Sequence, residues 1–276
     1  MFGDELAKSL KKFILKISQL ELSKIHKFKD IHKDESCYIF GDGTSLKFFD
    51  LNHFSDKVAI VNGLLPFHNE FDVLNAKYML IAEPFWFYPE LWTKYIKRNT
   101  ISMPYISKAY REFINNNPDK QFFLNFSNFP VIRSKNINYF FQDILDYRLP
   151  ENYISRRINA FTDSLRSSII MATYMGFKKI YLVGCDYTHY PSRNNHWYEK
   201  GKGVFSFHEN YQKEFFKIAK DFVDITTITL DGNSEFINSV TYKEYTGHDF
   251  IYRENTEMIN DEYLKIMATW PGYSIF

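Results

Sequence analysis

The stretch YIFGDGTSLKFFD, from Tyr38 to Asp50, holds the first residues whose types and spacing could bind a ligand. An apolar run ends in two glycines that flank Asp42, and Thr44 and Ser45 follow. Backbone N–H groups in a glycine turn can approach a phosphate closely, because no Cβ is in the way. The turn lacks the third glycine of the dinucleotide fingerprint and the lysine of a P-loop, so neither of those sites is predicted. By itself it is equally typical of a plain loop.

Polar or glycine residues also follow three other apolar runs. Asn62 and Gly63 follow KVAIV, Glu83 follows AKYMLIA, and Gly184 to Thr188 follow KKIYLV. In an open parallel sheet, ligands bind beyond the carboxyl ends of the strands, where loops converge and helix N-termini present free N–H groups. We therefore expect these residues to lie close to Gly41–Ser45 at one edge of a sheet.

The elements that must position these residues alternate along the chain. The predicted strands are CYIF, KVAIVNG, AKYMLIAEP, QFFLNF, KKIYLVGCDYT and ITTITLDG; SLRSSIIMATYMGF, FHENYQKEFFKIAKDFV and much of Trp86 to Asn117 read as helices. Alternation of this kind predicts an α/β fold with a mostly parallel sheet and helices on both faces. We expect a single Rossmann-like domain over residues 35–276. The long polar and aromatic loop at about 187–207 is typical of a lid.

Residues 1–34 form a separate N-terminal segment that is predicted to contain an amphipathic helix. Its apolar positions recur at helical spacing, and lysines occupy the other faces. The apolar residues are Leu6, Leu10, Phe13, Ile14, Ile17 and Leu20, and the lysines are Lys8, Lys11, Lys12 and Lys16. Two interpretations stay open: packing against the domain, or adsorption to an anionic membrane surface.

Composition limits the classes of function. The net charge of +1 argues against broad nucleic-acid binding, which needs a strongly basic surface. Neither a membrane-spanning apolar run nor a signal-peptide pattern is present. Cys37 and Cys185 lie in apolar runs without metal-ligand spacing, so both are predicted to be core thiols. We expect a cytoplasmic protein, either free or peripheral at the cytoplasmic membrane face, and leave open whether it forms a homo-oligomer.

Two blocks together carry a resemblance to a known family. GDGTSLKFFDL with Asn62, and SLRSSIIMATYMGFKKIYLVGCDYT, resemble the bacterial sialyltransferase-like glycosyltransferases. These are the small CMP-sialic-acid-dependent enzymes of glycosyltransferase family 42 and their relatives with a pterin-pyrophosphokinase-like domain. The resemblance covers roughly residues 37–83 and 164–239, and the second block is the more specific.

The resemblance implies a metal-independent, inverting transfer from a CMP-linked acidic sugar, which is a donor substrate and not a cofactor. The acceptor would be a cell-surface glycan or glycolipid, such as lipopolysaccharide, lipooligosaccharide or capsule. The implied nucleotide-binding residues are Gly41, Asp42, Gly43, Thr44, Ser45, Asn62, Glu83, Ser164, Gly184 and Asp186. Ser164 could also serve only in capping its helix together with Asp163, and Asp186 could simply follow its strand as a cap.

The implied catalytic base is His208, which follows the lid and would take the proton of the acceptor hydroxyl. His189 and His196, in the same loop, are competing candidates. Two tyrosine hydroxyls stabilise the leaving phosphate in the resembling enzymes. Since Thr188 occupies the first of those positions, Tyr190 or Tyr198 with an arginine, Arg193, would take the role.

Further departures from the family pattern bear on the substrate. Asp42 replaces an asparagine and places a carboxylate near a phosphate. Phe161 replaces a basic residue, for which Arg156, Arg157 or Arg166 could substitute in space. Phe205 replaces a donor-contacting tyrosine, so Kdo, legionaminic acid and pseudaminic acid stay open beside sialic acid as the donor sugar.

Two other classes of function stay open. A pyrophosphokinase-like phosphotransferase would use Asp42, Glu83 and Asp186 to hold Mg²⁺. A noncatalytic protein that binds a nucleotide sugar or a glycan would need no base at all.

Overall fold

A computed structural model describes residues 2–88, 101–140, 163–207, 213–270 and 272–276. Its centre is an eight-stranded sheet in which all neighbouring strands are parallel. The strand order is β10-β9-β6-β1-β2-β3-β4-β5. The strands are β1 Ser36–Phe40, β2 Val58–Val61, β3 Ala76–Ile81, β4 Gln121–Asn125, β5 Ile137–Phe140, β6 Lys179–Val183, β9 Asp224–Thr229 and β10 Asn238–Thr241. The predicted α/β fold with a mostly parallel sheet is confirmed.

Alternate residues of each central strand pack into two separate hydrophobic layers. In β1, Tyr38 and Phe40 lie in one layer, whereas Cys37 and Ile39 lie in the other. Helices therefore cover both faces, and the strands read as unbroken apolar runs. The first layer includes residues of α2 Ser102–Asn116, α5 Tyr242–Thr246, α6 Asn255–Met258 and α7 Asp261–Met267; the second includes residues of α3 Ser164–Tyr174 and α4 Lys213–Ala219. Both cysteines are buried and free, as predicted.

The order of the strands reverses at β1. The chain adds β2 to β5 on one side of β1, and then places β6, β9 and β10 on the other side. A crevice opens at such a reversal, beyond the carboxyl ends of the two strands. Here the loops after β1 and β6 are joined directly, because Gly41 N donates to Val183 O at 2.9 Å and Gly43 N donates to Gly184 O at 2.7 Å. The predicted convergence of these two loops is therefore found.

Several elements were not predicted from the sequence. The edge strands β5 and β10 are four residues each, and the antiparallel hairpin of β7 Ser192–Asn194 and β8 Val204–Ser206 has strands of only three. The three-residue strands are too short for a periodic pattern, and β10 is only partly buried, so it lacks an apolar run. The hairpin lies inside the predicted lid, whose middle is packed into the protein, since Trp197 is completely buried.

Helix α1, Phe2–Leu22, exposes much of its predicted apolar face. Its C-terminal end is anchored, with Ser18 and Leu22 buried, but Leu6, Leu10, Phe13 and Leu20 are 56–82% exposed. The described lysines, Lys8, Lys12 and Lys16, are exposed as well. Across the described ranges, no helix is both long and apolar enough to cross a membrane.

Candidate functional site

A pocket of about 290 Å³ lies at the reversal of the strand order, and we call it the nucleotide pocket. It collects loops from the ends of β1, β2, β3 and β6 and the start of α3. Its described lining is Gly41, Asp42, Gly43, Asn62, Gly63, Glu83, Asp163, Ser164, Leu165, Gly184, Cys185, Asp186, Tyr187, Arg193, Asn195 and His196. Most of the predicted nucleotide-binding residues are thus brought together at one place.

Thr44 and Ser45 lie behind the pocket and hold the loop that follows β1, which we call the first loop. Both are buried, and Thr44 Oγ1 donates to Asn194 O at 3.2 Å. Ser45 N donates to Asp186 Oδ2 at 2.8 Å, and Ser45 Oγ donates to Asp186 Oδ1. Asp186 is itself 1% exposed, so its carboxylate clamps the loop after β1 to the loop after β6. A Cβ on Gly43 would lie 2.5 Å from this carboxylate, which explains why glycine is needed there.

The carboxylate of Asp42 is turned towards protein donors. It accepts from Leu64 N at 3.0 Å and from Trp197 Nε1 at 3.1 Å. Burial raises the pKa of Asp42, although nearby His196 and the two donors act to lower it. A Cβ on Gly63, whose φ is +58°, would lie 1.5 Å from Asp42 Oδ2. The left-handed glycine therefore makes the space that this carboxylate occupies.

Glu83 extends from the end of β3 towards the start of α3. Burial raises the pKa of Glu83, and the negative charge of Asp42 adds to that rise, whereas a hydrogen bond with Ser164 opposes it. Asp163 is the N-cap of α3, with its side chain accepting from Arg166 N at 2.8 Å. Ser164 is therefore left to line the pocket and contact Glu83, while its neighbour caps the helix.

Asn62 supports the pocket from the end of β2. Its Nδ2 donates to Phe40 O at 3.0 Å, and its Oδ1 accepts from Ser168 Oγ at 2.8 Å. These bonds tie the ends of β1 and β2 to α3, so Asn62 fixes the geometry of the pocket floor.

A second pocket of about 250 Å³ adjoins the first, and we call it the aromatic chamber. Asp42, Gly63, Glu83 and His196 line both pockets. The rest of its described lining is Leu64, Ile81, Trp86, Ser102, Met103, Ile106, Tyr110, Tyr198, Met267, Trp270 and Tyr273. Within the described ranges, the buried Ser102 Oγ and Trp86 Nε1 have no hydrogen-bond partner. The chamber thus combines aromatic walls with the polar side chains of Asp42, Glu83 and His196.

His196 stands at the junction of the two pockets in a fixed orientation. Its Nδ1 lies 2.7 Å from Glu199 Oε1, its backbone N donates to the same oxygen at 2.9 Å, and its ring stacks on Tyr198 at 4.9 Å. Glu199 is 4% exposed, and its Oε2 accepts from Ser274 N at 3.0 Å. Although burial acts to raise it, hydrogen bonds from His196 and Ser274 lower the pKa of Glu199, so the group is a carboxylate at neutral pH.

The predicted catalytic residues are placed differently from one another. His208 lies outside the described residues, as do Arg156, Arg157 and Phe161. Tyr190 lines neither pocket and contacts Phe207 edge-on at 6.2 Å. Tyr198 lies in the aromatic chamber, where its hydroxyl is hydrogen bonded with that of Tyr273.

The remaining candidate residues also differ in whether they line a pocket. Arg193 lines the nucleotide pocket, but Arg166 does not and instead pairs with Asp163 at 3.0 Å. His189 is buried and lines neither pocket. Phe205 is half exposed, with the guanidinium of Arg193 stacked 4.4 Å from its ring centroid.

The three carboxylates considered for Mg²⁺ do not form a ligand set. Asp186 is engaged by Ser45, and Asp42 by Leu64 and Trp197. In the part of the chain that the structure describes, no group of three His, Cys, Asp or Glu side chains could hold a metal ion.

The aromatic chamber was not predicted, because its walls come from distant parts of the chain. Trp86 and Tyr110 precede the second block, whereas Trp270 and Tyr273 lie near the C-terminus. The only signal in the sequence was the aromatic fraction of 19%, which allowed for an aromatic pocket without locating it.

No protein-family model matches the sequence, and no curated protein does. Solved structures similar to this chain include sialyltransferases from Campylobacter jejuni. CstII, in complex with the substrate analogue cytidine-5'-monophosphate, is 12% identical, with 86% of this chain and 98% of that chain covered and a TM-score of 0.40. The monofunctional α-2,3-sialyltransferase Cst-I is 15% identical, with 70% and 75% covered and a TM-score of 0.37. An α-2,3-sialyltransferase in apo form is 16% identical, with 83% and 88% covered and a TM-score of 0.39. At these TM-scores the similarity does not assign a function.

Proposed function

We propose that this protein is an inverting, metal-independent glycosyltransferase that moves an acidic sugar from a CMP-linked donor to a glycan. The observation that carries the proposal is the nucleotide pocket itself. The two sequence blocks that resemble sialyltransferase-like enzymes lie far apart in the chain, yet both line this one pocket. It also lies at the reversal of strand order, where open α/β sheets bind their ligands.

The adjoining aromatic chamber supports a sugar substrate. Aromatic rings such as Trp86, Tyr110 and Trp270 offer flat apolar surfaces. Pockets with apolar walls and a few polar groups are typical of small-molecule sites. We place the glycan acceptor in this chamber, next to the donor sugar at Asp42 and Glu83.

The chemistry follows from that arrangement. The acceptor oxygen attacks the anomeric carbon, its proton passes to the base, and the bond to the phosphate breaks with its electron pair leaving on CMP. His208 is the proposed base, as the resemblance implies, and the proposed nucleotide-binding residues are those of the nucleotide pocket. Tyr190 and Tyr198 stay predictions for the leaving-group role.

We also propose that helix α1 brings the protein to an anionic membrane that carries a glycolipid acceptor. Its exposed Leu6, Leu10, Phe13 and Leu20, with exposed lysines on other faces, support this contact. Sedimentation with anionic vesicles tests it: the Leu10→Asp/Phe13→Asp variant is expected to stay in the supernatant, while the wild type sediments. Equal sedimentation of both would reject α1 as the membrane contact.

Calorimetric titration with CMP, CDP, UDP, GDP and ATP, each with EDTA and with Mg²⁺, tests the proposed function. We expect selective binding of CMP that is unaffected by EDTA, followed by turnover of a CMP-linked acidic sugar. Binding of ATP or a diphosphate only with Mg²⁺ would support the phosphotransferase instead. Binding of CMP without turnover of any such donor would support a noncatalytic binding protein.

A further inference from the structure

The nucleotide pocket has an acidic lining that needs compensation. Its described acidic residues are Asp42, Glu83, Asp163 and Asp186, and its described cationic candidates are Arg193 and His196. A nucleotide monophosphate departs with its negative charge, and a preorganised donor aimed at that charge lowers the barrier. Within the described lining, the cationic side chains that could stabilise the leaving group are therefore Arg193 and His196, beside the neutral donors Ser164, Tyr187 and Asn195.

The structure favours His196 over the other candidates. Tyr190 lines neither pocket, and Tyr198 lines only the chamber. Arg193 is held on the hairpin, where its Nη1 donates to Lys202 O at 2.7 Å and its guanidinium stacks on Phe205. His196 alone of these lines both pockets, and therefore lies where the sugar-to-phosphate bond would break.

Its surroundings hold the imidazole in one orientation. Nδ1–H is directed to the buried carboxylate of Glu199 at 2.7 Å, which leaves Nε2 without a hydrogen-bond partner among the described residues. With Nδ1–H turned to Glu199, a second ring N–H at Nε2 is what a phosphate in the nucleotide pocket would need from His196. The titratable groups around the ring are Glu199 and Tyr198 of its own segment, Asp42 of the first loop, Glu83 at the end of β3 and Tyr273 near the C-terminus.

We propose that His196 is a catalytic residue that donates a hydrogen bond from Nε2–H to the departing phosphate of CMP, with Glu199 as its positioning residue. This inference rests on the proposed function. As the bond from the anomeric carbon to the phosphate oxygen breaks, its electron pair stays on that oxygen, and the imidazolium neutralises the charge. The proton of the acceptor hydroxyl goes separately to the base, so His196 and His208 have different roles.

Comparison of CMP with cytidine tests the contact to the phosphate without any turnover. The variants are His196→Gln, Glu199→Gln and, as a matched control, His26→Gln on an exposed histidine of the N-terminal segment. We expect His196→Gln to bind CMP about tenfold or more weakly and cytidine as the wild type does, because only the charge-assisted bond is lost. In Glu199→Gln the affinity for CMP should fall less than in His196→Gln while that for cytidine stays unchanged, because the amide oxygen can still accept from Nδ1–H but carries no charge.

Kinetics then separate the leaving-group role from that of the base. Departure of CMP is needed both for transfer to an acceptor and for hydrolysis of the donor by water. His196→Gln should slow both reactions by about 10², whereas His208→Ala should slow transfer much more than hydrolysis.

Each outcome decides one of the two proposals. A wild-type protein that binds no CMP and turns over no CMP-linked sugar would overturn the proposed function, and the role of His196 with it. Normal CMP binding by His196→Gln, or equal weakening of CMP and cytidine, would overturn the role of His196 and leave the proposed function standing.

Discussion

Replacement of Lys47 by methionine should loosen the segment that carries His196 and Glu199. Lys47 is completely buried beneath the first loop, and its Nζ donates to Glu199 O and Gly201 O at 2.7 Å each. It also contacts Glu254 Oε2 at 3.1 Å. Methionine keeps most of the apolar stem but offers no donor, so the two carbonyls lose the lysine and Glu254 Oε2 keeps its bond from Gly201 N at 3.2 Å.

The size of the effect follows from opposing contributions. Removing one partner of a buried ion pair usually costs about 3–5 kcal/mol, because the remaining polar groups lose their compensation. Here the carboxylate is 43% exposed and keeps access to water, which reduces the loss. Burial also lowers the pKa of Lys47, so its ammonium is itself costly to bury, although Glu254 opposes that shift. We therefore expect the free energy of unfolding to fall by about 3 kcal/mol.

Urea denaturation at neutral pH measures this loss, and Lys217→Met is the matched control. Lys217 pairs with Glu214 at 2.6 Å on the exposed surface of α4, so its replacement should change the free energy of unfolding by less than about 0.5 kcal/mol. CMP affinity should also fall in Lys47→Met and stay unchanged in the control. A loss of stability below about 1 kcal/mol in Lys47→Met would refute the claim that this lysine anchors the segment.

Two further predictions follow from the same region. Burial acts to raise the pKa of Glu254, but hydrogen bonds from Tyr252 and Lys47 lower it from 4.5 to about 2. The ionised group therefore stabilises the fold above pH 4.5 and loses that effect as the pH falls towards 2. Glu254→Gln should therefore lower the free energy of unfolding at neutral pH by about 1 kcal/mol, which is less than the pKa shift implies because the group is partly exposed. The difference between Glu254→Gln and the wild type should shrink in acid, and a difference independent of pH would contradict this prediction. A left-handed backbone alone costs an alanine about 1–2 kcal/mol. Gly63→Ala should destabilise the protein by more than this and should weaken CMP binding, because its Cβ would displace Asp42. Gly247→Ala, with φ +79° and no atom within 4 Å of its Cβ, should show the strain alone, so equal effects of the two alanines on stability and on CMP binding would contradict the close approach.

The central strands could be predicted because their signal is local. CYIF, VAIV and KIYLV are short, mostly apolar runs, each followed by glycine or asparagine. Strands that are buried on both faces need such runs. The edge strand β10, NSVT, is half exposed and has no comparable signal. The β7–β8 hairpin was missed because each of its strands has only three residues, too few for a local signal.

Local sequence also determined which loops would meet. Once the strands are parallel, the loops after β1, β2, β3 and β6 must gather at one edge of the sheet, and the strand-end residues come with them. That reasoning located the nucleotide pocket, but it could not say which side chains face it. Ser45 and Asp186 are hydrogen bonded to each other, and no local pattern in the sequence predicts this pair.

The sequence alone therefore determined the α/β class, the parallel sheet and the loops that form the pocket, because hydrophobic periodicity and glycine turns act over a few residues. Only the tertiary structure decided which polar groups are satisfied internally and which remain free to act. Glu199 can orient His196 only because Lys47 and Ser274 hold the segment in place, and the aromatic chamber exists only where residues from distant parts of the chain meet. Contacts between distant residues depend on the whole packed structure, and no stretch of sequence encodes them by itself.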